Sequence, residues 1–309
     1  MNKSISFIQA IEGFELNVRS RYLSQGTVKD YFTTFRKFFN FLEDDPPIEL
    51  ISSKHVERFL ASQENISNKT LLNYHRGLSA LWTWCIKEDL VKDHIVQKVD
   101  RPKPEKKSIV PYTQVDVKAM LEAVGKSMIY SRPGKKESCH TVTHPERNRA
   151  IILLLLDTGI RATELCDLKI HNTDLKNRRI TVMGKGSKQR TIPISARTGQ
   201  MIWRYLTLRK NARVNEPLFA TRDGRPINRD QLLKALRVIG KRAGIAGVNV
   251  HRFRHTFAVS YLRNGGDPFS LQIMLGHSTK EMVKNYLSLA QADLEKNHML
   301  ASPVDNWRL

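Results

Sequence analysis

Three prolines within ten residues divide this chain. Pro102, Pro104 and Pro111 lie in VDRPKPEKKSIVPYT, where each removes a backbone N–H and disfavours helix. Four positive charges crowd the same stretch, between Arg101 and Lys107. Residues 101–110 therefore read as an extended linker, and each side must build its own core. The expected organisation is a unit over 1–100, the linker, and a second unit over 111–309. A length of 309 residues suits two domains of about 100–200 residues each.

The first unit carries helical periodicity. Tyr31, Phe35, Phe38, Phe39 and Leu42 recur at three- and four-residue spacings across Thr27–Leu42. Ser52 or Ser53 can cap a short helix through Leu60, and Ser67 another through Leu71, Leu72, Leu78, Leu81, Trp82 and Cys85. No strand-like alternation interrupts them, so a small helical bundle is expected. In the second unit the pattern predicts helices over Tyr112–Val124, Arg147–Asp157, Thr198–Asn211, Arg229–Ala243, His251–Asn264, Ser270–Leu275 and Thr279–Leu289. Residues 125–147 are rich in Gly, Pro and polar groups and read as a long loop. RRITVMGKGSKQRTIPIS is the clearest β signal: Ile180 and Val182 alternate with Arg179 and Thr181, a Gly-Lys-Gly-Ser turn follows, and Thr191–Ile194 returns. The fold class is mainly α, with an N-terminal helical bundle and an α-rich second domain holding one small antiparallel sheet.

Lys+Arg number 51 against 30 Asp+Glu, a formal charge of +21. Such an excess favours a polyanion, most simply nucleic acid; a ribosome-associated or membrane-surface protein is the plainer alternative. Residues 1–107 hold 17 basic and 14 acidic groups, a net of +3, and residues 108–309 hold 34 and 16, a net of +18. Lys29, Arg36, Lys37, Lys69 and Arg76 are candidate DNA contacts on the helical unit, though a solvated face is the usual fate of such charges. The three cysteines form no CxxC pair. Cys85 and Cys166 fall in apolar helical patterns and read as buried thiols. Cys139 lies near His140 and His144, but in so polar a stretch the group reads as plain loop, and no metal is expected. The N-terminus lacks a basic-then-apolar signal, and the apolar run Ala150–Leu156 is far shorter than the ~20 residues a membrane span needs. A reducing, cytoplasmic setting without membrane contact is expected.

Six residues, in chain order, carry the chemistry: Arg161 in TGIRATEL, Lys185 in VMGKGSKQR, His251 and Arg254 in HRFRH, His277 in LGHS, and Tyr286 nine positions later. Attack on a phosphodiester builds charge on two non-bridging oxygens, and two guanidiniums are a natural clamp, planar and always charged. Arg161 and Arg254 are the candidates. Arg161 sits at a break before a helix start, where amides favour anions; alone it would read as a salt bridge to Glu164. His251 and Arg254, three apart on a helix, share a face, with Arg252 and His255 expected to point elsewhere. A histidine's reference pKa of ~6.5 suits His251 to taking or giving a proton; alone it would read as a hydrogen-bonded helix-start histidine. Lys185, at the tip of the hairpin, can reach a bound strand and protonate a departing 5′ oxygen. Lys188 and Arg190 are its rivals, or phosphate-neutralising groups. His277 follows a helix end at Leu275-Gly276, and Ser278 with Glu281 has capping-box spacing for the next helix. Tyr286 falls about two turns into it. Its hydroxyl could attack phosphorus given a base or cations nearby; beside Val283 and Leu287 it could equally be a core tyrosine.

Taken together, TGIRATEL, VMGKGSKQR, HRFRHTFA and LGHS followed by Tyr286 resemble the tyrosine recombinases of the phage-integrase family. The resemblance covers nearly the whole chain and is closest to the simple two-domain type, as in Cre and the Xer recombinases, without an arm-binding domain. It implies a core-binding, SAM-like helical bundle in the first unit and a catalytic domain in the second. It implies that Arg161, Lys185, His251, Arg254 and His277 surround the scissile phosphate, that Tyr286 is the nucleophile, and that Glu164 orients the active-site groups from behind. Lys188, Arg190 and Arg252 are then candidate DNA contacts. The implied reaction is site-specific recombination through a 3′-phosphotyrosine and a Holliday junction, with no metal, ATP or other cofactor. The implied partners are double-stranded DNA with paired half-sites and three further copies, forming a tetramer on two duplexes, with room for accessory directionality proteins. The setting would be the nucleoid of a prokaryotic cell. The 125–147 segment is longer than in compact members, which favours integration or excision of a mobile element over Xer-like dimer resolution of chromosomes or plasmids.

Three other classes are weaker. A type IB topoisomerase shares the chemistry, but the helical bundle and the tail after Tyr286 argue against it. A non-catalytic DNA-binding descendant predicts loss of an active group, and all six are present. A metal-dependent nuclease needs a tight Asp/Glu cluster that the sequence lacks.

Overall fold

The computed structural model describes residues 4–21, 23–105, 110–125, 130–132, 135–138, 144–184, 189–209 and 212–276, and in the C-terminal stretch residues 286, 298, 302 and 304. The chain forms two compact units, Met1–Ser108 and Ile109–Leu309.

Four helices build the first unit: α1 (Phe7–Ser20), α2 (Gln25–Leu42), α3 (Ser53–Ala61) and α4 (Asn68–Lys87). Caps set their starts. The side-chain oxygens of Ser6, Ser24 and Ser67 accept from backbone N–H groups three residues on, satisfying donors that a first turn leaves unpaired. The apolar faces meet in an aromatic core. Phe38 lies edge-on to Phe7 at 5.4 Å and to Phe59 at 5.1 Å between centroids, and Trp82 is fully buried among them. Gly77 lets α4 approach α2, since a Cβ there would lie 3.1 Å from Thr34.

The second unit contains α5 (Gln114–Ala123), α6 (Pro145–Thr158), α7 (Ala162–Asp167), α8 (Ala196–Thr207), α9 (Arg229–Arg242), α10 (Val250–Arg263) and α11 (Pro268–Leu275). Strands β3 (Thr173–Asp174), β4 (Arg179–Met183) and β5 (Gln189–Pro193) form an antiparallel sheet. Ile180 faces Ile192 across it and both are buried; Thr181 faces Thr191 on the other side. This is the period-two pattern of a sheet with one face in the core. Helix α6 is buried almost all round, with Ala150, Ile151, Ile152, Leu154 and Leu155 at 0–1% exposure, because α8 and α10 pack against it. No described helix is long and apolar enough to cross a membrane.

The fold is thus mainly α with a small antiparallel sheet, and three details differ from expectation. Residues 125–147 are not all loop: β1 (Tyr130–Arg132) pairs with β2 (Lys135–Ser138) as a second, two-stranded sheet, and α6 begins at Pro145. The main sheet gains a third strand in β3. Helix α5 starts only after its cap, Thr113, whose side chain accepts from the Asp116 N–H. Tyr112 therefore stands outside it, with its ring 4.7 Å from Phe253 and its N–H donating to Thr256 Oγ1 at 2.8 Å. The helix expected over Thr279–Leu289 lies outside the described residues except for Tyr286, which is helical.

Candidate active site

The C-terminal end of α11 is the hub. Its last carbonyls have no partner within the helix and carry the negative end of its dipole. Three consecutive ones each receive a guanidinium from a different element: Arg190 Nε of β5 donates to Met274 O at 2.8 Å, an Arg254 amino group of α10 to Leu275 O at 2.7 Å, and an Arg161 amino group to Gly276 O at 3.1 Å. Gly276 is left-handed, with φ 62°, and ends the helix.

Arg161 is the N-cap of α7. Its N–H donates to Glu164 Oε2 and its guanidinium to Glu164 Oε1, both at 2.8 Å. Arg190 grips the same carboxylate with two parallel bonds of 2.9 and 2.8 Å. The Glu164 side chain is 3% exposed, and Arg161 remains 34% exposed. Burial alone would raise the Glu164 carboxyl; the bonds from Arg190 and Arg161 outweigh it and bring it down to about 2. Glu164 thus stays ionised and orients both guanidiniums.

Arg254 is buried and also donates to Gly159 O at 2.8 Å. Gly159 ends α6 in the left-handed region, with φ 60°. Desolvation, then the Arg161 charge, brings Arg254 down to about 10, so it still carries its proton at neutral pH. It also bears electrostatically on Tyr286, favouring the phenolate. Tyr286 is 2% exposed, and its hydroxyl stands 2.9 Å from His255 Nδ1. Burial raises its pKa above the ordinary tyrosine value.

His255 corrects the expectation that it points elsewhere. Positions 251, 254 and 255 stand at i, i+3 and i+4, which is one helix face. That spacing was the available signal. His251 is exposed at the start of α10. Arg252 does turn away: it donates to Val110 O at 2.9 Å and Ala246 O at 3.0 Å, and lies 4.2 Å over the Tyr112 ring. Arg190, also expected as a DNA contact, is 11% exposed with its donors on Glu164 and Met274. Arg190 is drawn inward because the buried Glu164 carboxylate and the Met274 carbonyl need its donors. Lys185, Lys188 and His277 lie outside the described residues. Lys29, Arg36, Lys69 and Arg76 are exposed on α2 and α4, while Lys37 is half-buried with its ammonium 5.4 Å from the Tyr74 ring centroid. Among the described residues no three His, Cys, Asp or Glu side chains could hold a metal ion; Cys139 and His140 are outside them.

Residues 136–293 match the phage integrase family, and residues 11–92 match the phage integrase N-terminal SAM-like domain. The chain belongs to the phage integrase family. It is a tyrosine recombinase, an enzyme of site-specific recombination. Tyrosine recombinase XerC of Staphylococcus carnosus (strain TM300) is 29% identical over 294 residues, covering 92% of this chain and 93% of its own. The XerC of Lactobacillus leichmannii is 30% identical over 266 residues, covering 84% and 85%. Among solved structures, the Tn1549 transposon integrase in complex with a circular intermediate DNA matches this recombinase with a TM-score of 0.74 at 21% identity, covering 95% of this chain and 100% of that one. That last likeness is one of fold.

Proposed function

We propose that this recombinase cuts each strand by attack of the Tyr286 hydroxyl on a phosphodiester. The observation that carries the reading is the convergence of Arg161 and Arg254 on one helix end beside the Tyr286 hydroxyl. The guanidiniums neutralise the charge that builds on the non-bridging oxygens, in place before the reaction starts. Glu164 holds Arg161 in position. Lys185 protonates the departing 5′ oxygen, and His251 and His277 complete the hydrogen bonding around the phosphate. The 3′-phosphotyrosine conserves the energy of the broken bond. A 5′ hydroxyl of the partner duplex then attacks it, and two rounds pass through a Holliday junction.

Residues 1–100 serve as the core-binding unit, with Lys29, Arg36, Lys69 and Arg76 on the DNA side, and four copies act on two duplexes with paired half-sites. The task we infer is movement of a mobile element, for which the extra 125–147 segment is the motive, with directionality set by accessory proteins. Likeness to XerC chains over most of their length favours a second task, dimer resolution. Mapping the covalently attached site separates them: ends of an element for the first, one chromosomal or plasmid locus for the second.

The test of the chemistry is Tyr286→Phe on a nicked suicide substrate. The variant is expected to bind its half-site with unchanged affinity and form no covalent complex. Trapped DNA from the Phe variant would move the nucleophile to another tyrosine, such as Tyr261.

A further inference from the structure

A buried phenol that must attack phosphorus has to lose its proton, and burial makes that harder. One acceptor is already aimed at the Tyr286 hydroxyl. We propose that His255 is the general base for Tyr286, taking its proton at Nδ1 during cleavage and returning it during ligation. This rests on the reading of Tyr286 as the nucleophile. Three observations carry it. The Nδ1–Oη separation of 2.9 Å is a hydrogen bond that needs no rearrangement before proton transfer. His255 is half-buried on α10, a rigid helix whose neighbouring Arg254 is fastened to both Gly159 and Leu275, so the ring is held in place. The imidazole is kept neutral: burial first, then the charges of His251 and Arg254, lowers its pKa. A neutral ring with its proton on Nε2 presents Nδ1 as an acceptor. Among the described residues, the charged or titratable groups bearing on it are His251 and Arg254 of its own helix and Tyr286.

The step balances. The Tyr286 oxygen–phosphorus bond forms as the phosphorus–5′ oxygen bond breaks; the phenol proton passes to His255 Nδ1, and the 5′ oxygen takes a proton from the acid opposite, assigned above to Lys185. In ligation the incoming 5′ hydroxyl attacks phosphorus and gives its proton back to the group assigned to Lys185, while the phosphorus–Tyr286 oxygen bond breaks and the phenol leaves with the proton held on Nδ1. His251, exposed one turn earlier, is then free of this duty and can serve the non-bridging oxygens.

The experiment measures single-turnover cleavage of a nicked suicide substrate by the full chain, with half-site affinity followed in parallel. His255→Gln retains a polar side chain that cannot take the proton; His255→Ala opens space for added imidazole. Both are expected to bind the half-site within about threefold of the parent and to cleave about 10²-fold more slowly, the lower end of general-base effects. Imidazole should restore much of the rate to His255→Ala and none to His255→Gln. Cleavage within threefold of the parent in both variants overturns the proposal, and so does a loss in His255→Ala that imidazole leaves untouched, since a merely structural role predicts that. If Tyr286→Phe still traps DNA, the nucleophile reading fails and takes this proposal with it. If Tyr286→Phe is inert while both His255 variants cleave normally, only the role of His255 fails.

Discussion

Replacing Arg190 with alanine separates a buried clamp from a DNA contact. The side chain makes two bonds to Glu164 and one to Met274 O, and is 11% exposed against 3% for its acidic partner. Removing one partner of a buried ion pair costs about 3–5 kcal/mol, because the remaining charge stays desolvated. Glu164 keeps Arg161, so the lower end, about 3 kcal/mol, is expected for Arg190→Ala at pH 7. The acid limb gives a second handle. Glu164 sits at about 2 against an ordinary 4.5, a depressed folded-state pKa. Its contribution, about 3 kcal/mol at about 1.36 kcal/mol per unit, is fully present above pH 4.5 and lost as pH falls through about 2. Without Arg190 the carboxyl rises toward its ordinary value, so acid unfolding of the variant begins at higher pH than in the parent. Pulse proteolysis in urea, with fragments assigned to the two units by mass, reads the catalytic unit by itself. The expected result is a weakened second unit, an unchanged first unit and a salt dependence of half-site binding equal to the parent's. Stability within about 1 kcal/mol of the parent, together with a salt slope reduced by about 1, would make Arg190 a phosphate contact and refute the clamp.

Gly159→Ala is expected to destabilise the second unit by about 2–4 kcal/mol in the same assay, combining left-handed backbone strain with overpacking: its Cβ would lie 2.6 Å from Phe257 Cδ1 at φ +60°. An unchanged midpoint would show that the turn relaxes freely. Lys185→Ala should cleave an ordinary 5′ linkage slowly yet cleave a 5′-bridging phosphorothioate at close to the parent rate, since a thiolate leaves without protonation; equal defects on both substrates would point to phosphate binding or to Lys188. Truncation after Ala292 should leave half-site binding nearly intact but weaken synapsis, if the apolar tail residues Leu294, Met299 and Leu300 dock on a neighbouring copy in a head-to-tail ring. Normal synaptic complexes from the truncated chain would mean that the tail packs on its own unit.

Local rules reach about four residues, and within that reach the sequence alone determined a good deal. Ser67 ahead of a 3.6-period apolar stripe specified α4, and alternation around Gly184–Gly186 specified β4 and β5. The ordered set from Arg161 to Tyr286 specified the family, because that chemistry needs those side chains in combination. The same rule, read in full, would have placed His255 on the His251–Arg254 face, since i+4 shares a face with i as surely as i+3 does. Other features depended on partners far apart in the chain. Arg190 and Arg161 look alike as surface cations in sequence; only the packing of β5 against α11 leaves Arg190 at 11% exposure with its donors on Glu164 and Met274. The 2.9 Å contact between His255 and Tyr286 joins positions 31 residues apart, a separation no periodicity encodes. Side-chain type set which chemistry was available, and the convergence of three chain segments on one helix end decided which donors remain to meet a phosphate.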